Sequence, residues 1–220
     1  MSNIVTIGYT VEGATDKRFL DAIIKKTFED VALQCESEID VYDPIFIPKP
    51  NGKNFIEQTV EVAEKAYKNG INILCVHADA DSYTDTNAYT SKVTPAFNTI
   101  SGIEQQVCKN LVAIVPVQMI EAWMLADKEL LCIEMRTAIS YEELTINRPA
   151  ENIADPKETI KVALRIAQND LPKRRRRIDI GDLYQPLGQK LSIEKLQTLP
   201  SYNKFRTSVE TAYRRLNYLH

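Results

Sequence analysis

The stretch from Ile71 to Asp81 reads Ile-Asn-Ile-Leu-Cys-Val-His-Ala-Asp-Ala-Asp. Its first half is apolar and rich in β-branched side chains, as a strand covered on both faces must be, and it stops at two carboxylates one residue apart. A chain that contains it is driven to build a buried sheet and to leave Asp79 and Asp81 at a strand's carboxyl end. In open parallel α/β sheets that edge is where ligands bind, so the pair points to a divalent-cation site. Asp also forms turns and caps helices, and a plain polar loop accounts for the same two residues.

The flanking segments supply the rest of such a sheet. Asn3 to Tyr9 alternates β-branched and polar residues and reads as a first strand. Gly13 permits a tight turn out of it, which delivers Glu12 at the strand's carboxyl end. Thr15 then serves as N-cap of a helix whose Phe19, Leu20, Ile23, Ile24 and Phe28 recur at helical spacing. Ile39 to Ile47 reads as a second strand, closed by the loop Pro48-Lys-Pro-Asn-Gly. Asn54 to Lys68 is a helix ending at Asn69-Gly70. After Asp81 come a polar loop, a helix expected near Ser101 to Lys109, and a strand from Leu111 to Val117. A helical run to Asp127 follows, with Ile120, Trp123 and Met124 facing the core.

Strand and helix alternate through residues 1–127, which predicts an α/β fold with a mainly parallel sheet and helices on both faces. Residues 128–220 carry no strand pattern and are expected to form a helical C-terminal extension packed on that domain. Breaks are expected at Pro149, Pro156, Pro172, Pro186 and Pro200.

With 220 residues, 44% of them hydrophobic, the chain can bury a core without staples. Its four cysteines, at 35, 75, 108 and 132, have no CxxC spacing and read as reduced thiols of a cytoplasmic protein. No basic leader and no run long enough to span a bilayer is expected. The net charge is only −3, yet residues 1–156 hold 13 Lys and Arg against 24 Asp and Glu, and residues 157–220 hold 14 against 6. An acidic half beside a basic one suits a metal site next to a surface for an anion such as DNA or RNA. A solvated basic helix is the plainer explanation.

If the first and third strands are neighbours, Glu12 meets Asp79 and Asp81, and a hard cation such as Mg2+ or Mn2+ suits three carboxylates with water and a substrate phosphate. Asp16, one helical turn after Glu12, either joins them or favours the helix N-terminus through its dipole. Glu121 lies among apolar neighbours and is therefore either paired or functional. His77 shares a strand face with Asp79, as a structural histidine or as a ligand. Lys173, Arg174, Arg175, Arg176 and Arg177 form a run of five cations, either a solvated face or phosphate contacts, and Lys53 is a secondary candidate for such contacts. No Gly-x-x-x-x-Gly-Lys-Ser/Thr loop is present, so the chain does not read as an NTPase.

Glu12-Gly13 after the first strand and Asp79-Ala-Asp81 after the third resemble the Toprim domain of topoisomerases, primases and the overcoming-lysogenisation-defect (OLD) nucleases. Val11 to Leu20, Val115 to Asp127 and Gly181 to Gly188 extend the resemblance to small bacterial Toprim-like proteins often encoded beside an ATPase in phage-defence systems. The resemblance covers nearly the whole chain. It implies a Mg2+-dependent nuclease with Glu12 as general acid/base or ligand and with Asp79 and Asp81 as ligands. It also leaves room for a catalytically silent subunit that regulates a partner ATPase, and for an enzyme acting on small phosphorylated substrates. DNA against RNA, and a homo-oligomer against a monomer, stay open.

Overall fold

The computed structural model describes residues 3–104, 106–169 and 177–219. The chain opens with two short strands, β1 (Asn3–Val5) and β2 (Ile7–Thr10), where a single strand was expected. Thr6 causes the split. Its N–H donates to Asn72 Oδ1, and its hydroxyl bonds to the Gly70 carbonyl and to Asn72 Oδ1, so those groups leave the ladder. The expected second strand divides likewise into β3 (Ile39–Val41) and β4 (Ile45–Phe46), separated by a segment containing Pro44, which has no N–H for a ladder. β1 pairs with β3 in a separate ribbon. The main sheet has the order β4-β2-β5-β6, with β5 at Ile73–His77 and β6 at Leu111–Ile114, and every pairing is parallel.

Helices cover both faces because successive strand residues point opposite ways. Ile7, Tyr9, Ile73, Cys75, Val112 and Ile114 face α1 (Ala14–Ala32), whose Phe19, Leu20, Ile23, Ile24 and Phe28 are wholly buried. Leu74, Val76 and Leu111 face the other way, toward α2 (Phe55–Lys68), through Val62, Ala63 and Ala66. Asn54 caps α2 by accepting from the Glu57 N–H at 3.0 Å, and Gly70 follows its end at φ +67°, a conformation glycine adopts without strain.

The helix expected near Ser101 to Lys109 lies earlier. A helical stretch runs through α3 (Thr86–Ala88), a π-helical turn at Tyr89–Val93 and α4 (Thr94–Gly102). Pro95 argues against a helix there because it has no N–H to give to the preceding turn; the wider π turn just before it accommodates the mismatch. The run expected up to Asp127 is interrupted too. α5 (Glu121–Met124) is one turn long, and α6 (Lys128–Met135) starts afresh with Asp127 as N-cap, accepting from the Leu130 N–H at 3.0 Å.

Among the described residues the C-terminal part contains helices and no strand: α7 (Pro156–Ala167), α8 (Tyr184–Lys190), α9 (Ile193–Leu196) and α10 (Pro200–Arg215). Pro156 and Pro200 each open a helix rather than break one, since the first helical N–H is unpaired in any case. Pro186 sits in the first turn of α8. α8 lies so close to α1 that a Cβ on Gly188 would stand 2.5 Å from the Phe19 carbonyl oxygen. Lys26 of α1 donates to the carbonyls of Gly188, Gln189 and Leu191, closing the end of α8. α10 is bonded to α1 through Tyr202 with Thr27, at 2.9 Å, and through the Tyr213 hydroxyl to the Phe28 carbonyl, at 3.0 Å. One hydrophobic core therefore runs from Val5 to Tyr213. All four cysteines are free, and among the described residues no helix is long and apolar enough to cross a membrane.

Candidate functional site

β2 and β5 are direct neighbours, with Thr10 opposite Val76. Glu12 lies two residues beyond β2 and Asp79 two beyond β5, so both stand at the carboxyl end of the sheet. The turn into α1 differs from expectation: Gly13, not Thr15, is the N-cap, because the Asp16 carboxylate reaches back and accepts from the Gly13 N–H at 2.8 Å. That bond turns Asp16 inward, and only 8% of the residue is exposed. Burial raises its pKa, opposed by His77 and the Gly13 N–H and reinforced by Asp79 and Glu121. Asp16 therefore shares an electrostatic environment with Asp79 while also capping its helix.

His77, the last residue of β5, is wholly buried with Nε2 3.2 Å from Asp79 Oδ1 and Nδ1 3.9 Å from Asp16 Oδ2. The atoms are close but badly aligned: neither ring nitrogen nor Asp79 Oδ1 makes a hydrogen bond. A buried carboxylate oxygen left without a partner costs about 1–3 kcal/mol or more, so this group is poised for a ligand or a small rearrangement. Asp81 adopts a left-handed conformation, φ +51°, and its N–H donates to the Gln118 carbonyl at 2.8 Å. Gln118 is left-handed as well, φ +58°, and donates back to the Ser82 carbonyl at 2.9 Å. Two strained residues thus brace the loops after β5 and β6 against each other.

Two lysines that sequence reasoning missed stand among these acids. Lys92, in the π-helical turn, has its Nζ 3.8 Å from Glu12 Oε1, 3.6 Å from Asp81 Oδ2 and 3.5 Å from the Asp79 carbonyl. Lys49 donates to the His77 carbonyl at 3.2 Å. Burial lowers its pKa, which Glu12 opposes and Lys92 reinforces, with smaller opposing contributions from Asp16 and Asp79. Lys49 could have been found, since it lies in the loop directly after the second predicted strand, Ile39 to Ile47, on the edge where Glu12 and Asp79 were expected. Nothing local marks Lys92, because its helix was not foreseen.

Glu121 is 3% exposed and is paired: Tyr184 of α8 donates its hydroxyl to it, and Lys157 of α7 lies 3.2 Å away. Burial, then the Glu121 contact, raises the Tyr184 pKa far above the phenol range, so Tyr184 remains a donor. Lys53 is exposed and paired with Glu61 at 2.7 Å, and it does not line the cavity beside Glu12. Arg177 is exposed, whereas Lys173, Arg174, Arg175 and Arg176 lie outside the described residues.

The donors suit a hard cation in kind: carboxylate oxygens at one sheet edge, one of them buried and unpartnered. Among the described residues, however, no three His, Cys, Asp or Glu side chains are gathered tightly enough to hold a metal ion. The Lys92 ammonium lies between Glu12 and Asp81 instead. Compared with protein-family models, with curated proteins and with solved structures, the chain finds no match.

Proposed function

We propose that this chain is a Toprim-like nuclease that hydrolyses phosphodiester bonds of DNA or RNA with Mg2+ or Mn2+, working in phage defence beside a partner ATPase. The reading is carried by one observation: Glu12, Asp16, Asp79 and Asp81 converge on the carboxyl ends of adjacent strands, with the buried Asp79 Oδ1 lacking a partner. Glu12, Asp79 and Asp81 would hold the cation, with Asp16 and Glu121 beside them. A cation bound there supplies polarisation of a phosphoryl oxygen and a more acidic water. Glu12, with 35% of its side chain exposed, is accessible to take a proton from an attacking water. Lys49 and Lys92 offset the charge of the phosphate, and Tyr184 and Lys157 hold Glu121 in one orientation.

The test is hydrolysis of labelled DNA and RNA by the purified chain in Mg2+ or Mn2+. Glu12→Gln keeps the shape of the side chain and loses the base, so the rate should fall by about 100-fold or more with an unchanged melting temperature. Asp79→Asn should weaken Mn2+ binding measured by calorimetry. Equal Mn2+ affinity in the wild type and Asp79→Asn would remove the site from these residues.

A second reading, a catalytically silent subunit that regulates the ATPase, is favoured by the Lys92 contacts, which balance Glu12 and Asp81 without a metal. It predicts that folded Glu12→Gln and Asp79→Asn variants retain full cellular activity. Loss of cellular activity in both would exclude it.

A further inference from the structure

Beside the carboxylates, between the start of α1 and the loop from β4 to α2, lies a cavity of about 580 Å3. Its charged lining is three lysines, Lys17, Lys49 and Lys92, against one carboxylate, Glu12. The excess of positive charge is not used up internally. Among the described residues neither Lys17 nor Lys49 forms an ion pair, and Lys49 spends one of its three N–H donors on the His77 carbonyl. The start of the long helix α1 lines the same cavity at Gly13 and Ala14, with the Gly13 N–H already bonded to the Asp16 carboxylate.

The rest of the wall is flat and apolar. Phe46 and Phe55 line it together with Pro48 and Pro50. Lys17 Nζ lies 4.8 Å from the centre of the Phe46 ring and Lys49 Nζ 4.9 Å from that of Phe55, so the rings fix where the two ammonium groups sit. Clustered donors against an apolar wall suit a ligand with an anionic end and a flat ring. The volume falls within the range of about 300–1,000 Å3 typical of small-molecule sites.

We propose that this cavity binds one nucleoside monophosphate unit of the substrate, its phosphate between Lys17, Lys49 and Lys92 and its base against Phe46, Phe55 and the two prolines. The identity of the ligand rests on the nuclease reading; the cavity and its charge do not. Lys49 is then the residue joining the two parts of the site, since its ammonium bonds to the His77 carbonyl of β5 and also lies by the Phe55 ring of the cavity wall. The cleaved strand would enter with one nucleotide seated here and the adjoining phosphodiester over Glu12 and Asp79.

Calorimetric titration of adenosine 5′-monophosphate into the full chain, without added divalent ion, tests this directly, with ribose 5-phosphate and inorganic phosphate as parallel probes. Adenosine monophosphate should bind most tightly and lose affinity as salt is added. Lys49→Met and, at the exposed rim, Lys17→Ala should each weaken it, Lys49→Met by about tenfold or more, the scale of one hydrogen bond to a charged group. Melting temperatures establish that both variants are folded, and Lys17→Ala keeps the test decisive should Lys49→Met unfold. Absence of binding, or folded variants that bind as the wild type does, would overturn the proposal. Ribose 5-phosphate binding as tightly as the nucleotide would overturn the place given to the base. Hydrolysis by the wild-type chain separates the two readings: nucleotide binding by a chain that hydrolyses neither DNA nor RNA in Mg2+ or Mn2+ upholds the cavity and sinks the nuclease. Hydrolysis by a chain that binds no nucleotide does the reverse.

Discussion

Lys92 is the side chain on which the chemistry of the site turns. Its ammonium stands within 4 Å of both Glu12 and Asp81, where a divalent ion would have to compete with it. At such separations a unit charge is worth about 1 kcal/mol in water and about 4 kcal/mol in a partly buried site. With a third of the Lys92 side chain and 69% of that of Asp81 exposed, solvent screening favours the lower figure. Lys92→Met should therefore strengthen Mn2+ binding roughly fivefold, or about 1 kcal/mol, and enlarge the rise in melting temperature on adding Mn2+. An unchanged affinity would mean that the ion and the ammonium do not share a place.

The contact between α1 and α8 holds the site from behind. α1 carries Asp16 in its first turn and α8 presents Tyr184 to Glu121, so the crossing of these helices sets the distance between two acids far apart in sequence. Gly188 makes the close crossing possible, because any Cβ there meets the Phe19 backbone. Gly188→Ala gains about 0.5–1 kcal/mol from helix propensity, but the forced separation of the helices costs about 1–3 kcal/mol. The clash wins, since its partner is backbone and cannot turn aside. Differential scanning calorimetry should show a net loss and a melting temperature lower by a few degrees, on the scale of about 2–4 °C per kcal/mol. A variant as stable as the wild type would show that the helices are not in such contact.

The C-terminal extension is not an ornament on a finished α/β unit. α1 packs against the sheet and against α8, α9 and α10, α10 also lies on β6, and the buried Trp123 donates to Ser201 of α10 at 2.7 Å. A chain ending at residue 127 would expose Phe19, Leu20 and the tryptophan, each worth about 1.5–3 kcal/mol or more of lost burial, against total stabilities of about 5–15 kcal/mol. It should therefore show no cooperative thermal transition by circular dichroism. A sharp transition would establish the α/β part as an independent domain. Much of this architecture was legible beforehand. Local patterning marked the strand that ends in Asp79 and Asp81, the α1 and α2 helices, the parallel α/β class and the core positions Ile120, Trp123 and Met124, because period and burial are properties of contiguous residues. It also put Glu12 on the same edge as the Asp pair through the usual neighbourhood of such strands. The capping of Gly13 by Asp16 and the π turn before Pro95 are local, but hydrophobic period does not mark them; tertiary structure alone decided the split at Thr6, made by Asn72 from another segment, and the arrival of Lys49, Lys92 and Tyr184 among the acids. That split and that arrival each depend on contacts between residues distant in the chain, and no local period or propensity encodes such a contact.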